Sequence, residues 1–81
     1  MKLPRDVSGS QAVAALHRVF GYGVVHQRGS HIVLESESPR RHRLVVPDHN
    51  PLRTGTLNSI LRAVGLARGL TKDEVCRRLF G

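Results

Sequence analysis

The sequence predicts an α+β fold in which helices cover one face of a three-stranded antiparallel sheet. Three observations lead to this fold class. Apolar residues recur at helical spacing near both ends of the chain, the middle contains three short runs rich in β-forming residues, and only two residues separate the first two of these runs. Because strands joined by tight turns pair antiparallel, the middle of the chain predicts a meander.

The first helix is predicted to begin at Ser8 or Ser10 and to end at Phe20. Its apolar residues recur every three or four positions, and several alanines favour helix. Gly21 follows the last of them, at the position where helices commonly stop. These features predict an amphipathic helix with one face toward a core.

Three strands are predicted after this helix. Gly29 and Ser30 alone separate the first two strands, and glycine at the first central position suits a type II′ turn. Pro47 ends the third strand, because proline cannot donate a hydrogen bond to a neighbouring strand. The predicted strands span residues 22–28, 31–36 and 42–46.

A second helix is predicted from an apolar stripe, with Thr54 or Thr56 as its N-cap and Gly65 as its end. The stripe consists of Leu57, Ile60, Leu61 and Val64. The sequence TKDE at 71–74 then forms a capping box that opens a short final helix. The order α-β-β-β-α, with a short extra helix, is the layout of a double-stranded-RNA-binding domain, and residues 1–81 are expected to form a single domain.

The chain is strongly basic. Its 13 Lys and Arg residues against 6 Asp and Glu give a formal charge of +7, and 11 of the 13 are arginine. This excess predicts a polyanionic partner, and arginine, whose planar fork pairs with phosphate, favours nucleic acid. The single cysteine, Cys76, excludes an internal disulfide, and no signal-peptide pattern or long apolar run is visible. A cytoplasmic location without membrane contact is therefore expected.

His31 is the strongest candidate for chemistry. A two-residue turn pairs His31 with Arg28, and strand alternation places both on the same face as His26. We expect Val24 and Val33 on this open face. The opposite, core-side face is expected to carry Val25, Ile32 and Leu34.

A histidine beside an arginine on an open face can cleave RNA. A neutral imidazole can take the proton of a 2′-hydroxyl, whose oxygen then attacks the adjacent phosphorus, while arginine stabilises the developing charge. This reaction needs neither a metal nor another cofactor. The alternative is that His31 is an ordinary exposed surface residue.

Several blocks of the sequence resemble the HicA, or YcfA-like, toxin family. They are RGSH at 28–31, VP at 46–47 followed by His49, and TGTLNSILRAVGL at 54–66. LPRDVSG at 3–9 also fits the opening of that family. The resemblance extends over nearly the whole chain, with Arg28 where the family often has lysine.

The resemblance implies a double-stranded-RNA-binding-like fold and a specific biological role. HicA proteins cleave mRNA as the toxins of toxin-antitoxin pairs, and a HicB antitoxin neutralises them. The resemblance implies that His31 is catalytic, and we take Ser30 as its orienting group and Arg28 as a phosphate contact. The partners expected are therefore mRNA and a HicB-like antitoxin.

Further residues are candidates for RNA contact. The arginines that flank the start of the third strand could bind the RNA backbone or form a solvated turn. The residues before the second helix could bind phosphate at the helix N-terminus, or serve loop packing and capping. These candidates are His26, Arg40, Arg41, Arg43, His49 and Arg53.

Three other classes of function compete with the nuclease. A zinc site is not predicted, because the four histidines of the sheet region are 5, 11 and 7 positions apart, without a cysteine nearby. The main alternative is an RNA-binding module of the same fold that does not cleave RNA. A protein whose open sheet face only receives another chain would explain Val24 and Val33, but not the excess of arginine.

Overall fold

The structure, a computed structural model, describes residues 3–81 and has an α+β architecture. Its order, α-β-β-β-α with a further helix, confirms the predicted fold class and the predicted short final helix. No helix in the described part of the chain is long and apolar enough to cross a membrane. The elements are α1 (Gly9–Phe20), β1 (Gly23–Arg28), β2 (His31–Ser36), β3 (His42–Pro47), α2 (Thr54–Arg68) and α3 (Lys72–Phe80).

Helix α1 begins after Ser8, the first of the two predicted starts. The Ser8 hydroxyl accepts a hydrogen bond from the Gln11 N–H at 3.1 Å, and the Gln11 side chain accepts from the Ser8 N–H at 2.9 Å. This reciprocal capping box satisfies two backbone donors that a helix start leaves free. The helix ends at Gly21, whose φ of 75° is the left-handed conformation that glycine adopts readily.

The three strands form an antiparallel sheet in the order β1-β2-β3, as predicted. Gly29 has a positive φ of 58°. Among the described residues other than glycine, Asp6 alone has a positive φ, so Ser30 does not. Ser30 therefore has a negative φ, as a type II′ turn requires. The turn pairs Arg28 with His31, which confirms the predicted register at the hairpin tip.

A β-bulge changes the register farther along β1. His26 pairs with Val33, but the next pair joins Val24 to Leu34, so that Val25 is an extra residue. The prediction that Val25 faces the core is therefore wrong: Val25 is 47% exposed. Val24, expected on the open face, pairs instead with a core residue, and it stays 54% exposed at the edge of the sheet.

The core lies between the helices and one face of β2 and β3. Burial alternates along β2, where Ile32, Leu34 and Ser36 are buried, and along β3, where Leu44 and Val46 are buried. Both α1 and α2 pack on β3. Helices thus cover one face of the sheet, as predicted, and the other face stays open.

Helix α2 differs from its prediction at both ends. Its N-cap is Arg53, which makes no side-chain capping bond, so neither Thr54 nor Thr56 is the cap. The helix also continues through Gly65 to Arg68. A Cβ at Gly65 would lie 2.5 Å from the Leu70 carbonyl oxygen, so this glycine permits a close approach of the chain and does not end the helix.

Helix α3 begins with the predicted capping box. The Thr71 hydroxyl accepts from the Glu74 N–H at 3.1 Å, and the Glu74 carboxylate accepts from the Thr71 N–H at 2.9 Å. Val75, Cys76 and Leu79 are buried where α3 packs on α1 and α2. Burial raises the pKa of the Cys76 thiol, which disfavours the reactive thiolate.

Arg68 connects three elements at the end of the sheet away from the hairpin tip. Its guanidinium donates to the Phe20 carbonyl at 2.6 Å and to the Ser36 hydroxyl at 3.1 Å. It also lies over the rings of Phe20 and Tyr22, 5.2 and 5.8 Å from their centroids. The Tyr22 hydroxyl donates to Nε2 of His42 at 2.6 Å, and burial raises the pKa of Tyr22.

Thr54 at the start of α2 and Thr71 at the start of α3 give a test of these assignments. We expect Thr71→Ala to lower the free energy of unfolding by about 1 kcal/mol, because it removes the side-chain acceptor of a capping box. Thr54→Ala should change it by less than about 0.5 kcal/mol, because Thr54 is exposed and does not cap α2. Urea denaturation measures both values. A larger loss for Thr54→Ala would contradict the observed start of α2.

Candidate functional site

His31 is the first residue of β2 and lies between two neighbouring strands. It pairs with Arg28 of β1 on one side and with Pro47 of β3 on the other. Because its neighbour Ile32 points into the core, the period of two places His31 on the open face, where it is exposed. The structure therefore places His31 beside Arg28 on the open face, as the sequence predicts.

Three backbone hydrogen bonds fix the segment that follows Pro47. The Asp48 N–H donates to the Ser30 carbonyl at 2.6 Å, and the Gly9 N–H donates to the His49 carbonyl at 2.8 Å. The Leu52 N–H donates to the carbonyl of Val7 at 2.7 Å. The hairpin tip, the end of β3 and the start of α1 therefore meet at one end of the sheet.

Two further histidines lie near His31. His26 pairs with Val33, so it is the diagonal neighbour of His31, at a typical separation of about 7–8 Å. At that separation both side chains could contact one phosphate. His49 is exposed and stands two positions after Pro47, the β3 partner of His31.

Arg40, Arg41 and Arg43 lie at the opposite end of the sheet. Arg43 pairs with Glu35, four positions along β2 from His31, which corresponds to about 13 Å at the usual rise of a strand. The structure therefore does not bring these arginines together with His31. The predicted antiparallel meander already implies this separation, because its two turns lie at opposite ends of β2.

The Glu35 carboxylate binds two of these arginines. Arg41 donates through Nε to Oε1 at 3.0 Å, and Arg43 donates through Nε to Oε2 at 2.9 Å. The hydrogen bond from Arg43 is the largest cause that holds the pKa of Glu35 below its usual value, and the hydrogen bond from Arg41 is the second. Part of the positive charge at this turn is thus neutralised within the chain. The sequence did not predict that Glu35 pairs with these two arginines.

Arg53 is exposed at the start of α2, and no acidic residue occupies the first turn of that helix. A helix N-terminus of this kind favours anions, because its first backbone N–H groups point outward. Arg53 and His49 belong to the same connection between β3 and α2. The structure keeps both residues at the surface, where they are accessible to a ligand.

The structure includes no cluster of metal ligands within residues 3–81: no three His, Cys, Asp or Glu side chains come close enough to hold an ion. His42, which the sequence places among the histidines of the sheet, binds Tyr22 through Nε2 and the Arg40 carbonyl through Nδ1. Both of its nitrogens therefore already have protein partners. At the hairpin tip, an imidazole and a guanidinium lie side by side on an open surface.

These features define a class of protein. Helices on one face of an antiparallel meander form a double-stranded-RNA-binding-like fold, and the open face carries an exposed histidine and arginine. The family model described as the HicA toxin of bacterial toxin-antitoxin matches residues 9–66. The chain belongs to the HicA toxin family of toxin-antitoxin systems. Comparisons with curated proteins and with solved structures give no match.

The pKa of Glu35 can be tested directly. The depressed pKa means that the ionised carboxylate contributes stability above its unfolded-state pKa, and that this contribution is lost as the pH falls through the lower folded-state pKa. We expect Arg43→Gln to raise the pKa of Glu35 toward its usual value, with Arg62→Gln on α2 as the control. An NMR titration of the Glu35 carboxyl carbon measures the pKa in each variant. Equal values in both variants would show that Arg43 does not hold the carboxylate in solution.

Proposed function

We propose that the chain is an mRNA endoribonuclease, or mRNA interferase, that acts without a metal ion and uses His31 as its general base. The observation that carries this proposal is the pairing of exposed His31 with Arg28 on the open sheet face of a HicA family member. Because mRNA is its proposed substrate, the proposed location of the activity is the cytoplasm. Residues 1–81 are proposed to form the single domain that carries it.

In the proposed reaction the neutral His31 imidazole takes the proton of an RNA 2′-hydroxyl. The 2′ oxygen then forms a bond to the adjacent phosphorus, and the bond from phosphorus to the 5′ oxygen breaks. The products are a 2′,3′-cyclic phosphate and a 5′-hydroxyl, whose oxygen takes its proton from His26 or from solvent. General-base action of this kind supplies about 10² to 10⁴ in rate.

Arg28 and Ser30 support this step in different ways. Arg28 pairs directly with His31, so its guanidinium can contact a phosphate held against the imidazole and stabilise the charge of the transition state. Ser30 is proposed to orient His31. Its carbonyl is fixed by the Asp48 N–H at 2.6 Å, which holds the backbone immediately before the histidine.

The other proposed RNA contacts fall into two groups. His26, His49 and Arg53 are exposed on β1 and on the connection to α2, and the first two lie near His31. The second group lies at the far end of the sheet from His31, where it could contact only a more distant part of the same RNA molecule. It consists of Arg40, Arg41 and Arg43.

The proposed protein partner is a HicB-like antitoxin that covers the open face. The toxin-antitoxin assignment implies such a partner. The face combines the imidazole of His31 and the guanidinium of Arg28 with apolar Val45, which is 48% exposed. An acidic antitoxin would match the formal charge of +7 and block access of RNA to His31.

The central prediction concerns His31. We expect expression of the wild-type chain to arrest growth and degrade mRNA, and His31→Ala to do neither, because the general base is absent. Colony counts after induction and the integrity of total mRNA are the measurements. A folded His31→Ala protein that still binds RNA would separate the loss of catalysis from a loss of binding.

His17→Gln is the matched control for this experiment. His17 lies on α1 and donates through Nδ1 to the Tyr22 carbonyl at 2.8 Å. A glutamine amide can keep that hydrogen bond. This variant should remain as toxic as the wild type. Equal mRNA degradation by the wild type and His31→Ala would refute His31 as the base, and harmlessness of both with retained RNA binding would favour the non-cleaving module.

Arg28 can be tested through the salt dependence of binding. In a His31→Ala background, Arg28→Gln should reduce affinity for single-stranded RNA and lower the slope of log K against log salt by about 0.7, since one phosphate contact is lost. Arg62→Gln removes an exposed arginine from α2 and should leave the slope unchanged. Fluorescence anisotropy at several salt concentrations measures the slopes, and equal slopes would mean that Arg28 does not contact phosphate.

A further inference from the structure

The first turn of α1 presses directly on the backbone that follows β3. Gly9 is buried, and its N–H donates to the His49 carbonyl at 2.8 Å. A Cβ built on Gly9 would overlap the carbonyl oxygen of Pro47 and would lie 3.0 Å from the Asp48 Cα. Any side chain at position 9 would therefore force the end of β3 away from α1.

The backbone that Gly9 touches is the backbone that flanks His31. Pro47 is the β3 partner of His31, and the Asp48 N–H donates to the Ser30 carbonyl at 2.6 Å. Two short steps thus connect Gly9 to His31. The first step is the contact of Gly9 with residues 47–49, and the second is the pairing of 47–48 with residues 30–31.

The hairpin tip has little other support on its β1 side. Strand β1 is the edge of the sheet, and all of its residues after Gly23 are exposed. The position of His31 therefore depends mainly on its β3 neighbour. The overlap of a Cβ at position 9 with the Pro47 carbonyl oxygen requires this strand end to move, and the movement would carry the imidazole with it.

From these contacts we infer that Gly9 is a positioning residue that holds His31 at the hairpin tip through Pro47 and Asp48. The inference rests on the proposed nuclease function. Gly9 touches no substrate; it acts by allowing the α1 backbone to approach the end of β3. Because proton transfer requires close alignment, displacement of a catalytic group by about 1 Å can cost about 10²-fold in rate.

The chain contains a matched control for this inference. Of its eight glycines, all within the described residues, two would place a Cβ against backbone: Gly9, and Gly65 against the Leu70 carbonyl oxygen at 2.5 Å. Gly65 lies where α2 approaches the start of α3 and has no link to the hairpin. Gly65→Ala is thus a comparable steric change at a place that does not support His31.

The test compares wild type, Gly9→Ala and Gly65→Ala as purified full chains. Cleavage of a single-stranded RNA gives kcat and KM, and urea denaturation gives the folded fraction. Heteronuclear NMR follows the His31 imidazole and the amides of Ser30 and Asp48. We expect Gly9→Ala to lower kcat by about 10- to 100-fold with little change in KM, and to shift these signals. Gly65→Ala should lose stability yet keep the wild-type kcat and signals.

The outcomes separate this inference from the proposed function. If wild type cleaves RNA and folded Gly9→Ala has the same kcat and unshifted signals, the inference fails and the nuclease stands. If kcat falls equally in Gly9→Ala and Gly65→Ala, the effect is general destabilisation and the inference also fails. Absence of cleavage by the folded wild type would overturn both.

A second variant serves if Gly9→Ala does not fold. Asp48→Pro removes the N–H that binds the Ser30 carbonyl, and so breaks the same connection at its other end. We expect it to lower kcat and to shift the His31 imidazole signal in the same way. An unchanged kcat in folded Asp48→Pro would overturn the inference.

Discussion

The alternation of β2 between a buried and an open face is the constraint on which the rest of the structure depends. Ile32 and Leu34 are 6% and 0% exposed, and they commit one face of the strand to the core. A slip of one residue in register would bury His31 and expose these two side chains, at a cost of about 1.5–3 kcal/mol for each. Because β2 is paired on both sides, its neighbours also fix this register. The open face is therefore as well determined as the core.

The same constraint divides the open face into two chemically different ends. His31 begins β2, beside Arg28, and Glu35 stands near the other end, bound to Arg41 and Arg43. A carboxylate that joins two guanidinium groups keeps them ordered but lowers their net charge. Because both arginine side chains are largely exposed, these salt bridges contribute little to stability, and their main effect is on the local electrostatic potential.

The formal charge of the chain overstates the positive charge that is available to an anionic partner. Arg68 donates to a carbonyl and a hydroxyl and lies over two aromatic rings, which gives it a role in joining α1, β2 and α2. Arg41 and Arg43 share a carboxylate. The prediction of a polyanionic ligand therefore depends on the arginines that form no such bond within the described residues. Arg28 is one of them.

What the sequence predicted and what it missed differ in the range of the interactions involved. The pairing of His31 with Arg28 depends on a two-residue turn, and the start of α3 depends on residues three positions apart, so local patterns predicted both. For α1 the apolar spacing left Ser8 and Ser10 as alternative starts. The bulge at Val25 has no signal in the alternation of β1, and the role of Gly65 comes from its contact with Leu70 in the connection between α2 and α3. The contact of Gly9 with Pro47 joins residues far apart in sequence, and no spacing rule encodes it.

Helix α3 adds buried side chains to the core but contributes no residue to the candidate site around His31. It lies outside the matched range of residues 9–66, and it buries Val75, Cys76 and Leu79 against α1 and α2. An 81-residue chain has a small core. Burial of an apolar side chain contributes about 1.5–3 kcal/mol, which is substantial against a net stability of about 5–15 kcal/mol. All of this packing occurs on the helical side of the sheet. A partner that covers His31 on the open face would therefore bind without displacing α3.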